Sequence, residues 1–351
     1  MSNSPKKLSF IDRYLTLWIF LAMGIGIAIS KWFPGFAALI RNSESNGTNI
    51  PIAIGLIFMM VPPLAKVNYT RIPKAFGRKD LIFYSLILNW IIGPLLMFAL
   101  AILFFPDQPE YRIGLVLIGV ARCIAMVLVW NDLAEGDREV ATGLVALNSI
   151  FQLFLYGSLA YFFLGILSGI LGFSNYEIDV RYWDIASSVL IYLGIPFTLG
   201  WIIRTLSISL KGEDWTTNKL LPLISPITLI FLLLTIVVMF SLKGDSLLLV
   251  PFDILIIAIP LLSYFIIMFF LSFGLGLLIK ADYPRNTAIS FTAAGNNFEL
   301  AIAVAIGTFG ISSGQAFVGI VGPLIEIPAL ILLVEIAKLL RSRFYSIEET
   351  A

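Results

Sequence analysis

Apolar stretches of about twenty residues recur along almost the whole length of this chain, and no other feature limits its fold so tightly. A bilayer core of about 30 Å is crossed by about 20 helical residues rising about 1.5 Å each. Ten stretches read as such spans: Tyr14 to Phe33, Ile50 to Ala65, Leu81 to Phe105, Tyr111 to Leu133, Glu139 to Gly172, Trp183 to Leu206, Leu220 to Leu242, Phe252 to Lys280, Asn286 to Phe309 and Gln315 to Leu340. The second is short and carries Pro51 at its start and Pro62-Pro63 near its end. Lipid offers no water to an open sheet edge, so spans of this kind fold as helices. The fold class expected is an all-α polytopic membrane protein with ten transmembrane helices.

Composition narrows the chemistry. Charged residues make up 13% of the 351, about half the roughly 25% of a soluble domain, and hydrophobic ones 59%. With no His, a His-based triad or a His-ligated zinc site is excluded. A single Cys excludes an intrachain disulfide and any multi-cysteine metal or redox motif, so no resident cofactor is expected. The net charge of +1 gives no electrostatic reason to expect nucleic acid as a partner. The partners expected are the lipid bilayer and a small solute, and the oligomeric state is left open.

The longest polar connection, Lys66 to Asp80, is too short to fold alone, so residues 1–351 read as a single membrane transport domain. The first apolar run has the length of a span and lacks a small-residue cleavage site, so it reads as a retained helix. An even number of spans places both termini on one side. Of the 23 Lys and Arg residues, 17 fall on that side, Lys31, Arg41, Arg112, Arg181 and Lys243 on the other, and Arg122 inside the membrane. By the positive-inside rule both termini are cytoplasmic, in a multi-pass protein of the plasma membrane. Five spans per half, approximately 14–172 and 183–340 and joined around Asn175 to Arg181, mean that the halves enter from opposite faces, the inverted-repeat plan of secondary transporters.

The polar residues inside the spans locate the site. Arg122 and Cys123 lie about twelve residues into span 4, about 18 Å along the helix. Gly295-Asn296-Asn297-Phe298-Glu299 lies at a similar depth in span 9, which enters from the other face. Gly and paired Asn disfavour continuous helix, and irregular backbone at that depth survives only against protein or a watered cavity. Spans 4 and 9 are therefore predicted to be discontinuous and to cross near the midplane. Span 10 adds Glu326 between Pro323 and Pro328, and span 5 adds Asn148 and Gln152.

Each of these residues has a plainer reading beside the functional one. A carboxylate at the bilayer centre costs about 2.5 to 3.5 kcal/mol on insertion scales, so Glu299 and Glu326 read as functional, although Pro328 also fits a structural kink. Arg122 either meets substrate or neutralises Glu299 or Glu326 as a buried ion pair. Cys123 is either a small buried hydrophobe or a thiol activated by the neighbouring cation. Asn148, Asn296 and Asn297 either bind solute or hydrogen-bond between helices. Gly310-Ile-Ser-Ser-Gly314 fits a nucleophile-elbow pattern but lies between two spans and reads as a turn. Together the residues describe a proton- or ion-coupled secondary transporter, not an enzyme, with no nucleotide motif to make it a primary pump.

At these positions the chain resembles a known family. Gly119-Val-Ala-Arg-Cys-Ile-Ala-Met-Val-Leu-Val-Trp-Asn-Asp132, Gly295-Asn-Asn-Phe-Glu299 and Gly322-Pro-Leu-Ile-Glu-Ile-Pro-Ala329 are similar to segments of the ten-span arsenite efflux permeases within the bile acid/sodium symporter superfamily. The resemblance covers essentially the whole chain, and the Arg-Cys pair followed by Trp130-Asn-Asp is specific to the arsenite group. It implies export of arsenite, sometimes with antimonite, in exchange for protons. It also implies that Cys123 matches the substrate-contacting thiol and Glu299 an essential acid. Arg122, Trp130, Asn148, Asn297, Phe298 and Glu326 match further positions that matter for activity. A single thiol suits thiophilic trivalent arsenic, since a carrier must also release what it binds. Cys123 is thus expected to hold the metalloid as substrate, while Glu299 and Glu326 carry protons. The rival readings are a sodium-coupled organic-anion symporter of the same superfamily and a membrane sensor with no transport cycle.

Overall fold

The computed structural model describes residues 15–45, 48–68, 79–124, 126–173, 181–242 and 250–345. The Lys66 to Asp80 connection lies outside this set over residues 69–78, and of the junction between the halves only Arg181 falls inside it. The helices in chain order are α1 (Leu15–Trp32), α2 (Pro34–Asn42), α3 (Ile50–Lys66), α4 (Asp80–Phe104), α5 (Pro109–Val120), α6 (Val127–Leu133), α7 (Arg138–Ile170), α8 (Tyr182–Lys211), α9 (Glu213–Leu242), α10 (Val250–Leu278), α11 (Tyr283–Ala294), α12 (Phe298–Phe309) and α13 (Gly314–Phe344). A two-residue antiparallel pairing, Glu44 with Asn49 and Ser45 with Thr48, precedes α3. Helices α4, α7, α8, α9, α10 and α13 are long and apolar enough to cross a membrane. Large apolar side chains such as Phe83, Leu103, Phe154 and Leu223 stay exposed on them, as lipid permits and water does not. The protein is an all-helical membrane protein.

Local chemistry sets the helix ends. Asp137 caps α7, accepting from Glu139 N at 2.9 Å and Val140 N at 3.0 Å. At the Gly310 to Gly314 segment, Gly310 leaves α12 with φ +89 and Ser313 caps α13 by accepting from Ala316 N at 3.2 Å. That segment is a turn with a cap, as its position between apolar runs requires. Pro62 and Pro63 do not break α3, which runs on to Lys66. Helices α4, α7, α8 and α9 each widen into a π-helical turn, at Leu88–Ile92, Phe162–Leu167, Leu190–Gly194 and Thr216–Leu220. Those in α4, α8 and α9 lie just before a proline, Pro94, Pro196 and Pro222, whereas the one in α7 does not. Proline lacks the N–H that would bond four residues back and its ring crowds that carbonyl, so the helix takes up an extra residue there and continues.

The helices sort into two packed groups. Helix α9 lies against α1 and α3, and α3 against α8. In the second group α4 packs on α5, α5 and α12 on α13, α10 on α11 and α13, and α7 on α11. Small residues bring the backbones together where lipid supplies no hydrophobic drive of its own. A Cβ at Gly200 of α8 would lie 2.8 Å from Ala65 N of α3, and one at Gly114 of α5 would lie 2.8 Å from Val318 Cβ of α13. Arg112 and Arg204, counted from the sequence with the charge at the faces, are buried near helix ends. There Arg112 donates to Pro106 O at 2.7 Å and Arg204 to Ala65 O at 3.3 Å.

Substituting Gly114→Val places two methyls where Val318 and the Gln315 carbonyl already sit. The expected result is destabilisation by about 1–3 kcal/mol, read as a lower apparent melting temperature of the purified protein in detergent.

Candidate functional site

Helices α5 and α6 follow one another across a short break, as do α11 and α12. Between them the backbone is extended, with ψ 112 at Ala121 and ψ 148 at Gly295. Arg122 and Asn296 meet there as an isolated antiparallel bridge. An α-helix leaves its last four carbonyls without partners, and in a membrane interior water is not at hand to supply them. At the end of α5 the partners come from other helices. Leu117 O accepts from Tyr156 Oη at 3.0 Å, Ile118 O from Asn296 Nδ2 at 2.9 Å, and Gly119 O from Arg122 Nη2. Ala121 O accepts from Asn297 N at 3.1 Å and from Asn296 Nδ2 at 3.2 Å. On the other strand of the crossing, the Asn297 side chain caps α12 by accepting from Leu300 N at 3.0 Å.

Arg122 and Cys123 are neighbours that work on different sides of this crossing. Successive side chains of an extended segment point to opposite faces. The guanidinium of Arg122, fully buried, donates through Nη1 to Tyr264 Oη at 2.9 Å, while its backbone N–H donates to Gln152 Oε1 at 3.0 Å. Tyr264 in turn donates to Ala293 O at 3.3 Å. The guanidinium fits because residue 93 is glycine: a Cβ there would lie 2.7 Å from Nη1. The expected ion pair of Arg122 with Glu299 or Glu326 is absent among the described residues. A guanidinium spent on a backbone carbonyl and a phenol is not in position to pair with them, nor does it lie on the thiol's face to activate Cys123.

Cys123 faces a small cavity. The crossing contributes Cys123, Ile124, Met126, Asn296, Asn297, Phe298 and Glu299 to its lining, and α13 contributes Pro323, Glu326 and Ile327. Pro63 of α3 and Leu232 of α9 close it from the other helix group. Glu299, half-buried, sits in the first turn of α12, where the helix dipole favours an anion. Glu326 is buried, with no hydrogen bond to its Oε1, and Asn296 Oδ1 and Asn297 Nδ2 are likewise unengaged. A buried polar atom without a partner costs about 1–3 kcal/mol, so these three are the atoms a polar solute would satisfy. Pro323 and Pro328 leave α13 unbroken, and Gly322 admits the Phe298 ring where a Cβ would collide with it.

Of the residues singled out from the sequence, Cys123, Asn296, Asn297, Phe298, Glu299 and Glu326 meet at this cavity. Arg122, Asn148 and Trp130 do not line it. Asn148 Oδ1 accepts from Trp90 Nε1 at 3.2 Å on the widened turn of α4, and Trp130 is buried in α6. Nothing in the residue pattern marks Tyr264 or Leu232, which are ordinary residues within apolar runs, and Pro63 stands out only as part of a double proline. No cluster of three His, Cys, Asp or Glu capable of holding a metal ion occurs among the described residues.

Residues 53–249 match the sodium bile acid symporter family. The chain is 50% identical over 330 residues to the arsenical-resistance protein Acr3 of Corynebacterium glutamicum, covering 94% of this chain and 89% of that one. It is 32% identical over 352 residues to the protein of the same name from Alkaliphilus metalliredigens, covering 97% and 96%. It is also 35% identical over 350 residues to an uncharacterized transporter of Synechocystis, covering 94% and 89%.

Replacing Asn296 by Ala removes the donor to both Ile118 O and Ala121 O. Ile118 O keeps Ala121 N and Ala121 O keeps Asn297 N as donors, so a loss of about 0.5–1.5 kcal/mol for each side-chain bond removed is expected. Thermal unfolding in detergent of Asn296→Ala beside the parent protein checks it.

Proposed function

The chain belongs to the sodium bile acid symporter family and, within it, to the Acr3 arsenical-resistance group, and from that premise we propose that it exports arsenite from the cytoplasm in exchange for protons. The observation that carries this reading is the cavity in which one thiol, Cys123, meets two carboxylates, Glu299 and Glu326. Undissociated arsenous acid is a small neutral trihydroxide. Its hydroxyls can donate to Glu326 Oε1 and Asn296 Oδ1 and accept from Asn297 Nδ2, and its arsenic can meet the Cys123 sulfur. A lone thiol is an exchangeable ligand, which a carrier needs for release. Protonation of Glu299 or Glu326 as the site faces the outside removes an acceptor and favours departure of the solute. With no His in the chain, carboxylates are the groups suited to carry the proton. Antimonite, with the same hydroxide chemistry around a larger atom, is a second substrate of the proposal.

The wider architecture belongs to the same reading. We take the ten helical spans as two inverted repeats, approximately 14–172 and 183–340, forming one transport domain in the plasma membrane with both termini cytoplasmic. The 17 basic residues on the terminal side support the orientation. The packing supports the repeat: α1 and α3 of the first half share a group with α8 and α9 of the second, and the interrupted spans of both halves share the other group. The sodium-coupled organic-anion reading is weaker, because the cavity lining holds two carboxylates and no cation.

In everted vesicles the parent protein is expected to accumulate arsenite when the interior is acidic. Collapse of the proton gradient with a protonophore abolishes that accumulation, and replacing external sodium does not. Cys123→Ala and Glu299→Gln are expected to fall to the level of vesicles lacking the protein. Unchanged uptake in both variants overturns the site, and uptake indifferent to the proton gradient overturns the coupling.

A further inference from the structure

We propose that Tyr264 and Gln152 are positioning residues for Cys123, acting through Arg122 and the extended segment that carries both. This rests on the transport reading only in so far as Cys123 contacts the solute. The extended segment has little regular structure of its own to fix it, since α5 ends at Val120 and α6 begins at Val127. Its orientation is set by side chains reaching in from behind. Gln152 of α7 takes the Arg122 backbone N–H at 3.0 Å, and Tyr264 of α10 takes the Arg122 guanidinium at 2.9 Å. Tyr264 also donates to Ala293 O, the carbonyl two residues before Gly295, at 3.3 Å. One phenol thus touches both interrupted spans, on the side away from the cavity. Arg122 completes the arrangement by turning back on Gly119 O, so its charge is consumed in fixing the end of α5.

The consequence is mechanical. With the Arg122 backbone and side chain both held from behind, the following residue can only face forward, and Cys123 together with the bridged Asn296 is presented to the cavity. Loss of either anchor leaves the segment free to rotate about the remaining one. The thiol then samples more orientations, more of them open to reagents, and the fraction of time it spends in the orientation that meets the solute falls.

The chain holds one Cys, so alkylation by N-ethylmaleimide in native membranes reports on position 123 alone. Tyr264→Phe and Gln152→Leu are each expected to accelerate that alkylation about tenfold, the size of effect that losing a hydrogen bond at a charged or buried group allows. In everted vesicles their KM for arsenite is expected to rise by about the same factor with kcat changed by no more than about twofold. Tyr84→Phe is the matched control, because it removes a phenol bonded to Ser272 O on the same helix as Tyr264 but away from the crossing. It is expected to label and transport as the parent does. Parental labelling in both Tyr264→Phe and Gln152→Leu overturns the proposal, as does equal acceleration in Tyr84→Phe, which marks general loosening. If Tyr264→Phe does not reach the membrane, Gln152→Leu decides the matter by the same two readouts. A parent that moves no arsenite while the labelling pattern is as expected removes the transport reading and leaves the positioning role standing.

Discussion

Everything at the centre of this protein depends on satisfying the backbone where two helices stop inside the membrane. An unpaired carbonyl in hydrocarbon costs several kcal/mol, and a helix end exposes several at once. Here the end of α5 is completed by Tyr156, Asn296, Arg122 and the Asn297 backbone. Because these donors, besides α5's own continuation, come from α7 and from the break between α11 and α12, the crossing depends on both being packed around it. The break is therefore a tertiary structure in its own right, and the thiol and amides that face the cavity are what it leaves over.

That accounting divides the polar residues of the membrane interior by task. Arg122, Gln152, Tyr264 and Tyr156 face backward and hold the chain. Cys123, Asn297, Glu299 and Glu326 face the cavity. Asn296 and Asn297 do both: Asn296 gives its amide nitrogen to carbonyls of the crossing and leaves its oxygen unengaged, and Asn297 caps α12 with its oxygen and leaves its nitrogen unengaged. The same division puts the cation and its neighbouring thiol on different faces, since one residue along an extended segment is a change of face. The apolar remainder of the cavity, Pro63 and Leu232, comes from the other helix group, so the site lies where the two groups meet and each contributes a wall.

Much of this was legible in the sequence for identifiable reasons. Span length is fixed by bilayer thickness, so the apolar runs placed most long helices to within a few residues, as for α13, read as Gln315 to Leu340 and running Gly314–Phe344; α8 instead runs on to Lys211 and α9 starts at Glu213, through polar turns the apolar runs do not include. Gly295-Asn296-Asn297 marked an interruption because glycine and paired asparagine are poor helix formers with nothing to gain from lipid. The elbow-like Gly310 to Gly314 segment was recognisable as a turn from its place between two apolar runs. The proline effects were less legible. A proline pair near the end of α3 left the helix intact, while Pro94, Pro196 and Pro222 follow widened turns in α4, α8 and α9 and Pro226 of α9 does not.

Taken alone, the sequence determined that the chain is helical and lives in a membrane, and it picked out a few residues as candidates for chemistry, because burying charge and amides in lipid is so costly that their presence is itself a signal. It could not determine which way those side chains face. Arg122 looked like a partner for Glu299 or a contact for substrate, and became an internal support only when Tyr264, 142 residues later, was seen beside it. Facing is set by the sum of contacts from α4, α7, α10 and α11, none of them local in sequence, and a hydrogen bond between distant residues leaves no trace in either one's identity. The sequence named the atoms available for chemistry, and the tertiary structure decided which of them were already occupied.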